Sequence, residues 1–390
     1  MRSRTWRAER LGKLPPYLFV EIDRAKQAAI EAGRDVIDFG VGDPDRPTPK
    51  FIVERMCDAV RDPANHRYPL GRGKRTFRRT VAAFFERRFG VTLDPEKEVG
   101  ALLGSKEGIG HFATAMLNPG EVALVPDPGY PVYISGAVFS EAAYHRMPLR
   151  VERGFLPDLA AIPADVLRRA KVLWLNYPNN PTAACAPMSF FEEALAFARK
   201  HDLLIAQDAA YSETYYEDPP PSILQLPGAK ERCIEFHSLS KTFNMTGWRI
   251  GFSAGNAEAV TALADVKNNL DSGVFGAVQD AAIAGLENMH HPEVRGILDT
   301  YRERRDALVS GLKEIGWEVN YPKATFYLWA KCPKGAASMD AAKRILAEAN
   351  VVVIPGIGFG TCGEGFVRFA LTVETPRIRE AVSRLGRITW

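Results

Sequence analysis

The residues best suited to chemistry lie in Ser238-Leu239-Ser240-Lys241-Thr242-Phe243-Asn244-Met245-Thr246-Gly247-Trp248-Arg249-Ile250-Gly251-Phe252. One lysine and one arginine sit there among hydroxyls and apolar residues, with no acid between them. A lysine without a salt-bridge partner in a partly apolar turn loses part of its preference for the charged form. Its amine is then available as a nucleophile, which a Schiff-base lysine requires. Arg249 and the hydroxyls of Ser238 and Ser240 have the chemistry to hold a phosphate. Read alone, the stretch is also an ordinary Ser/Thr/Gly-rich loop with a solvated lysine.

Five further stretches bear on the choice. Gly104-Ser105-Lys106-Glu107-Gly108-Ile109 opens a helix after an apolar run, and a helix N-terminus offers free N–H groups and a favourable dipole to an anion. Asp127-Pro128-Gly129-Tyr130-Pro131-Val132-Tyr133 reads as a turn with two exposed tyrosines, either able to stack on a flat ring. Asn176-Tyr177-Pro178-Asn179-Asn180-Pro181-Thr182 supplies amides that can donate to a phenolic oxygen. Gln207-Asp208-Ala209-Ala210-Tyr211 puts a carboxylate straight after an apolar strand, where it needs a cation such as a pyridinium. Phe366-Val367-Arg368-Phe369-Ala370 buries an arginine, which asks for a carboxylate from protein or ligand. Each has a plainer reading: a Ser-capped helix, a rim aromatic, an Asn-Pro turn, an Asp that caps the next helix. Together they contain every contact that a pyridoxal phosphate site needs.

The elements that must position these residues follow from the hydrophobic pattern. Apolar strands recur at 99–103, 121–125, 171–175, 203–206 and 234–236, with helix-period segments such as 189–200 between them. Such alternation predicts an α/β fold with a mostly parallel sheet covered on both faces, whose ligands bind at the carboxyl ends of the strands. Upstream, 35–39 is a strand that enters the loop Gly40-Val41-Gly42-Asp43-Pro44-Asp45, where glycine permits close approach. A helix near 17–22 and beyond carries Phe19, Ile22, Ala25 and Ala29 on one face; 49–60 and 76–89 are further helices. Downstream, 259–289 reads as one helix broken by His290-His291-Pro292, and 293–315 as a long amphipathic one. Strands at 351–355 and 365–371, with helices at 339–349 and from Pro376, resemble a smaller α+β domain. The expected division is an N-terminal arm with part of the small domain over 1–47, a large domain over 48–292 and the C-terminal small domain over 293–390.

Composition bounds the function classes. The chain has 390 residues, 46% hydrophobic and 25% charged, enough for a large soluble core. A net charge of +3, from 50 basic and 47 acidic residues, gives no reason to expect nucleic acid or an anionic membrane as partner. Five scattered cysteines without a CxxC pair argue against a disulfide framework or a zinc site and suit a reducing compartment. No metal is expected. The basic start, with Arg2, Arg4, Arg7 and Arg10, is short and contains Glu9, so it reads as an arm and the expected location is the cytoplasm.

On the motifs quoted above, with Leu14-Pro15-Pro16-Tyr17-Leu18-Phe19 and Gly40 to Asp45, the chain resembles the class I/II aminotransferases, the fold type I pyridoxal-phosphate enzymes. Within them it looks most like the LL-diaminopimelate aminotransferase family. The likeness implies a large domain with a mostly parallel central sheet flanked by helices, and a smaller α+β domain built from both chain ends. It implies that Lys241 forms the Schiff base and then acts as general base, and that Asp208 keeps the ring nitrogen protonated. Tyr211 and Asn180 would bond the phenolic oxygen and Tyr130 would stack on the ring. Ser105, Lys106, Ser238 and Arg249 would bind phosphate, with Tyr68 reaching it from a second subunit of a homodimer. Arg368 would grip the substrate α-carboxylate, and Tyr17, Gly42, Lys106, Tyr130 and Asn180 would line the substrate pocket.

The implied reaction is ping-pong amino transfer between LL-diaminopimelate and 2-oxoglutarate, in lysine biosynthesis; aspartate, alanine or aromatic amino-acid transfer is the alternative. Two departures stand out. The usual Asn-Pro-Thr-Gly reads Asn180-Pro181-Thr182-Ala183, so the turn is expected to avoid positive φ. After Tyr68 the chain continues Pro69-Leu70-Gly71-Arg72-Gly73, without a carboxylate for the distal ammonium of diaminopimelate.

Overall fold

The computed structural model describes residues 6–15, 19–69 and 71–390. In chain order the strands are β1 Ile37–Asp38, β2 Val99–Leu102, β3 Val122–Asp127, β4 Ala143–Pro148, β5 Ala170–Asn176, β6 Leu204–Asp208, β7 Cys233–Ser238, β8 Gly251–Gly255, β9 Tyr327–Lys331, β10 Val351–Val352, β11 Ile354–Pro355 and β12 Phe366–Ala370. The helices are α1 Phe19–Glu31, α2 Lys50–Val60, α3 Arg75–Phe89, α4 Ser105–Met116, α5 Val132–Phe139, α6 Ala164–Leu167, α7 Met188–His201, α8 Leu239–Thr242, α9 Ala257–Leu270, α10 Gly276–Glu287, α11 Pro292–Glu314, α12 Ser338–Ala349 and α13 Thr375–Leu385.

The large sheet has seven strands in the order β2-β8-β7-β6-β5-β3-β4. β8 runs antiparallel to both neighbours; the other pairs are parallel. The inner strands read as unbroken apolar runs because both faces are covered. In β5, Leu173 and Leu175 join the core under one face while Val172 and Trp174 join the core under the other. The alternation follows from the two-residue strand period. α3 covers the first face through Phe77, Val81, Phe84, Phe85 and Phe89, spaced by helical turns. It stops at Gly90, whose φ of +67° closes the last turn.

A second core joins the chain ends. β9, β11 and β12 form an antiparallel sheet in the order β11-β12-β9, and β1 pairs in parallel with β10. Ile22 and Ala29 of α1 pack there with Leu308 and Leu312 of α11, Ile345 of α12 and Ile378 of α13. Ala25, expected on the same face, is exposed.

Two expected elements are divided. The segment 259–289 forms α9 and α10, separated at Ser272 and Gly273, which take φ of +60° and +109°. The Asp271-Ser272-Gly273 turn outweighs the apolar period around it. The segment 351–355 gives β10 and β11, which serve different sheets. No helix among the described residues is long and apolar enough to cross a membrane.

Candidate functional site

Register brings the chemistry to one edge of the large sheet. Asn176 at the end of β5 pairs with Asp208 at the end of β6, and Asp208 with Phe236 of β7. Ser238 ends β7 opposite Gly251, the first residue of β8, and Leu102 ends β2 opposite the same glycine. The turns leaving these strands therefore converge. They line a cavity of about 770 Å³, of the size that takes a small molecule. Its walls include Gly42, Ser105, Lys106, Tyr130, Asn180, Asp208, Tyr211, Ser238, Lys241, Arg249 and Arg368. Tyr68 lies elsewhere, 92% exposed on the surface. Tyr17 lies outside the described residues.

Lys241 sits in the single turn α8, directly after β7. Its Nζ donates to the Gly42 carbonyl at 3.1 Å and lies 5.4 Å from the Phe326 ring centroid. It forms no ion pair among the described residues. Burial lowers its pKa below the usual lysine value of 10.5, and the positive charges of Arg368 and Arg249 act in the same direction. Nearby Tyr327 and Asp43 oppose the shift.

Asp208 is buried at the far end of the cavity. Oδ2 accepts from Tyr133 Oη at 2.7 Å and Oδ1 from the Ala210 N–H at 3.2 Å. No lysine or arginine among the described residues reaches it. Burial pushes its carboxyl up to about 6, with both hydrogen bonds pulling the other way. A carboxylate so enclosed is best satisfied by a cation that enters the cavity. Tyr133 is a correction to the reading of an exposed turn: it lies in the first turn of α5, is buried, and stacks on Trp174 with centroids 4.9 Å apart. Tyr130, three residues earlier, does line the cavity.

Gly104, with φ of +77°, precedes α4, so Ser105 is a first-turn residue and its hydroxyl does not cap the helix. A Cβ at Gly104 would lie 2.5 Å from an Arg249 terminal nitrogen, so arginine and helix N-terminus meet around a small space. Arg249 donates to the Thr246 and Leu103 carbonyls at 2.7 and 3.2 Å and is itself in the left-handed region. Ser105, Ser238, Lys106 and Arg249 line the cavity at this helix start, a set of donors suited to an anion.

Arg368 enters from β12. It donates to Asn180 Oδ1 at 2.9 Å and to the Gly40 carbonyl at 3.1 Å, while its buried Nε has no hydrogen-bond partner among the described residues. Its guanidinium lies 4.2 Å from the Tyr327 ring centroid and 4.7 Å from that of Phe359. The arginine thus meets carbonyls and rings but no carboxylate among the described residues. With its oxygen occupied by Arg368, Asn180 keeps its amide hydrogens for the cavity. The Tyr211 hydroxyl lies 3.1 Å from that of Tyr327.

The loop from Gly40 to Asp45 is held from below. Arg304, buried in α11, grips both Asp45 oxygens at 2.6 and 2.7 Å, and Thr372 donates to the Val41 carbonyl at 2.8 Å. A Cβ on Gly42 would lie 2.2 Å from Tyr327 Oη, so only glycine fits. Arg304 and Tyr327 escaped the sequence reading. Asp45 three residues after Gly42 was a signal that a cation had to be sought.

Ala183 corrects another expectation. It adopts φ of +59° although it is not glycine. The Asn179 carbonyl accepts from the Ala183 N–H at 2.9 Å, the Asn179 N–H donates to the Ala184 carbonyl at 2.8 Å, and Asn179 Oδ1 accepts from Thr182 twice. These bonds over-determine the turn against a left-handed cost of about 1–2 kcal/mol.

The acid, the amine and these donors suit a flat heterocycle that carries a ring N–H⁺, a carbonyl and a phosphate. As for metals, Glu107, His111 and Asp271 have ligand atoms within 4.8 Å of one another. Lys267 Nζ already lies 3.1 Å from Glu107 and 3.2 Å from Asp271, and so supplies the positive charge.

Residues 34–385 match the family described as "Aminotransferase class I and II". The chain is 53% identical over 382 residues to an LL-diaminopimelate aminotransferase of Aquifex aeolicus, covering 98% of each. It is 52% identical to one of Syntrophobacter fumaroxidans, covering 98% of this chain and 99% of that one. Among solved structures, substrate-bound BacF of Bacillus subtilis superposes with a TM-score of 0.93 at 37% identity, covering 98% of each chain. A Thermus thermophilus aspartate aminotransferase double mutant gives 0.92 at 28% identity over 100% of each.

Proposed function

The chain belongs to the class I and II aminotransferases, and we propose that it uses pyridoxal 5′-phosphate to move the amino group of LL-diaminopimelate to 2-oxoglutarate. The products are glutamate and the keto acid that closes to tetrahydrodipicolinate, which places the enzyme in lysine biosynthesis. The observation that carries the transaminase reading is Arg368. It is a buried guanidinium that meets no carboxylate among the described residues and faces the same cavity as the Lys241 amine, which forms no ion pair among them. The relatives' high identity over nearly the whole chain supports diaminopimelate as substrate.

Pyridoxal phosphate supplies a carbonyl that bonds amines and a ring that accepts the electron pair left at the substrate α-carbon. The residues do the rest. Lys241, poised by burial toward its neutral form, offers a nucleophilic Nζ and moves the α-proton. The Asp208 carboxylate, oriented by Tyr133, holds the proton at the ring nitrogen. Tyr211 and Asn180 would donate toward the phenolic oxygen and Tyr130 would pack on the ring. Ser105, Lys106, Ser238 and Arg249 would hold the phosphate. Arg368 has its Nε–H and one hydrogen on each terminal nitrogen left for the α-carboxylate, beside the backbone of Gly42.

We assign Tyr68 to the partner subunit's site in a homodimer; its exposed ring suits that role. Tyr17 is assigned to the substrate pocket. The division into 1–47, 48–292 and 293–390 is retained, with the cavity between its two cores. A cytoplasmic location is retained with it.

The test is the amino transfer itself. The protein loaded with pyridoxal phosphate is mixed with LL-diaminopimelate and 2-oxoglutarate, and glutamate is measured. Transfer from aspartate with none from diaminopimelate would overturn the substrate assignment.

A further inference from the structure

A row of buried polar groups lies on the opposite face of β7, and the reaction above does not use it. Ser212 Oγ lies 3.2 Å from His237 Nδ1, and His237 Nε2 lies 2.8 Å from Glu235 Oε2. Glu235 Oε1 accepts from Ser222 Oγ at 2.8 Å and from the Ile223 N–H at 2.9 Å. All four side chains are buried. Serine, imidazole and carboxylate stand in the order of a hydrolase's nucleophilic system. The space beside them measures about 10 Å³, too small for any substrate. Their task is therefore internal.

The groups around the imidazole narrow that task. Phe252 of β8 stacks on it with centroids 4.8 Å apart and planes at 12°, and Phe85 of α3 meets it edge-on at 5.3 Å. Glu213 borders the same small space and is paired with Arg88 of α3 at 3.2 Å. Asp208 ends the neighbouring strand. Glu235 has no lysine or arginine partner among the described residues; its oxygens meet the imidazole, the Ser222 hydroxyl and the Ile223 N–H.

Location supplies the purpose. The β6–β7 ladder ends with Asp208 opposite Phe236, and the Ala209 N–H makes one more bond to the Phe236 carbonyl at 2.8 Å. Beyond that point the two chains diverge into the turns that carry Tyr211 and Lys241. Ser212 follows Tyr211 directly, and His237 directly precedes Ser238. The Ser212–His237 contact is thus a side-chain link between the turn after β6 and the end of β7, beyond the β6–β7 ladder.

We infer that His237 is a positioning residue: with Ser212 and Glu235 it locks the turn of Asp208 and Tyr211 to the turn of Ser238 and Lys241, and so sets the affinity for the cofactor. The inference rests on the pyridoxal phosphate reading. Burial pushes the Asp208 carboxyl up, and positive charge on His237 acts in the opposite sense. Loss of the imidazole therefore disturbs the charge of the site as well as its shape.

The experiment measures the dissociation constant of pyridoxal 5′-phosphate and the pH midpoint of its visible absorption band when bound. Melting of the cofactor-free protein is recorded alongside. His237→Phe keeps a stacking ring without the bonds, whereas His237→Gln restores a donor toward Glu235. The expected result is roughly tenfold weaker binding and a shifted midpoint for His237→Phe, with His237→Gln recovering most of the loss. A lowered melting temperature with wild-type affinity and midpoint would mean a merely structural role and overturn the inference. If His237→Phe does not fold, Ser212→Ala decides: about threefold weaker binding supports the link, and unchanged affinity and midpoint sinks it. A wild-type protein that binds no pyridoxal phosphate would overturn the cofactor reading instead.

Discussion

Tyr133 donates its hydroxyl to Asp208 Oδ2 at 2.7 Å while its ring lies nearly parallel to the indole of Trp174. The stack fixes the phenol and the phenol fixes the acid. That buried hydrogen bond helps to orient the group assigned to the ring nitrogen and opposes the rise in pKa that burial causes. Tyr133→Phe keeps the stack and removes that bond. Since the bond lowers the Asp208 pKa, the acidic limb of the kcat/KM profile is expected to move to higher pH. Activity should fall about tenfold, as for a hydrogen bond to a charged group. An unchanged pH profile would mean that Asp208 is set by other contacts.

Asp208→Asn separates stability from function. Folding raises the Asp208 pKa from 3.8 to about 6. The folded protein therefore binds more protons than the unfolded chain between those values, and stability falls as pH rises through that window. The cost reaches roughly 3 kcal/mol above the folded value, from two pKa units at about 1.4 kcal/mol each. Cofactor-free Asp208→Asn is expected to melt above wild type at pH 7, with the gap closing toward pH 4. Its amino transfer should be severely reduced. Equal melting temperatures at both pH values would contradict the burial penalty.

Lys241→Ala should stay folded and lose about a thousandfold or more in turnover, in line with the loss of a nucleophile and a general base together. Here the sign of the pH effect reverses. Burial holds the folded amine below its ordinary 10.5, so wild-type stability rises with pH toward 10.5, whereas that of the alanine variant lacks this rise. Melting curves at pH 7 and pH 10 check the second point, and transfer assays the first.

How much of this was legible in advance depended on the kind of residue. Lys241, Asp208 and Arg368 stood out because each is a charge set beside or within an apolar run, where burial makes a partner obligatory. Tyr327 did not, and Tyr133 reads as an exposed ring, since a tyrosine in an apolar context needs only one hydrogen bond, and nothing local says where it lies. Pro131 also made the start of α5 look like the end of a turn. Arg304 was hidden because its helix is rich in arginines and only the fold selects the one that meets Asp45. The positive φ of Ala183 was unreadable because it is imposed by Asn179 and Thr182, not by its own side chain.

Arg368→Ala leaves Asn180 and the Gly40 carbonyl without a donor and removes the cation assigned to the α-carboxylate. KM is expected to rise about a hundredfold for every amino acid and keto acid tested, since all share that group. A rise confined to one substrate would move the arginine to a side-chain subsite.

Ala183→Gly removes the left-handed penalty at the cost of one small methyl and some chain entropy. The expected balance is a gain of up to about 1 kcal/mol, with kcat unchanged. Thermal melting at fixed pH measures it, and a loss of stability would show that the methyl contact outweighs the strain.

The carbonyls of Gly40 and Gly42 receive Arg368 and Lys241, which lie 328 and 199 positions further along the chain. Translation therefore delivers the acceptors first and their two cations long afterwards, the arginine last. A nascent chain that has already folded its large sheet has its lysine but not the strand that brings the carboxylate grip.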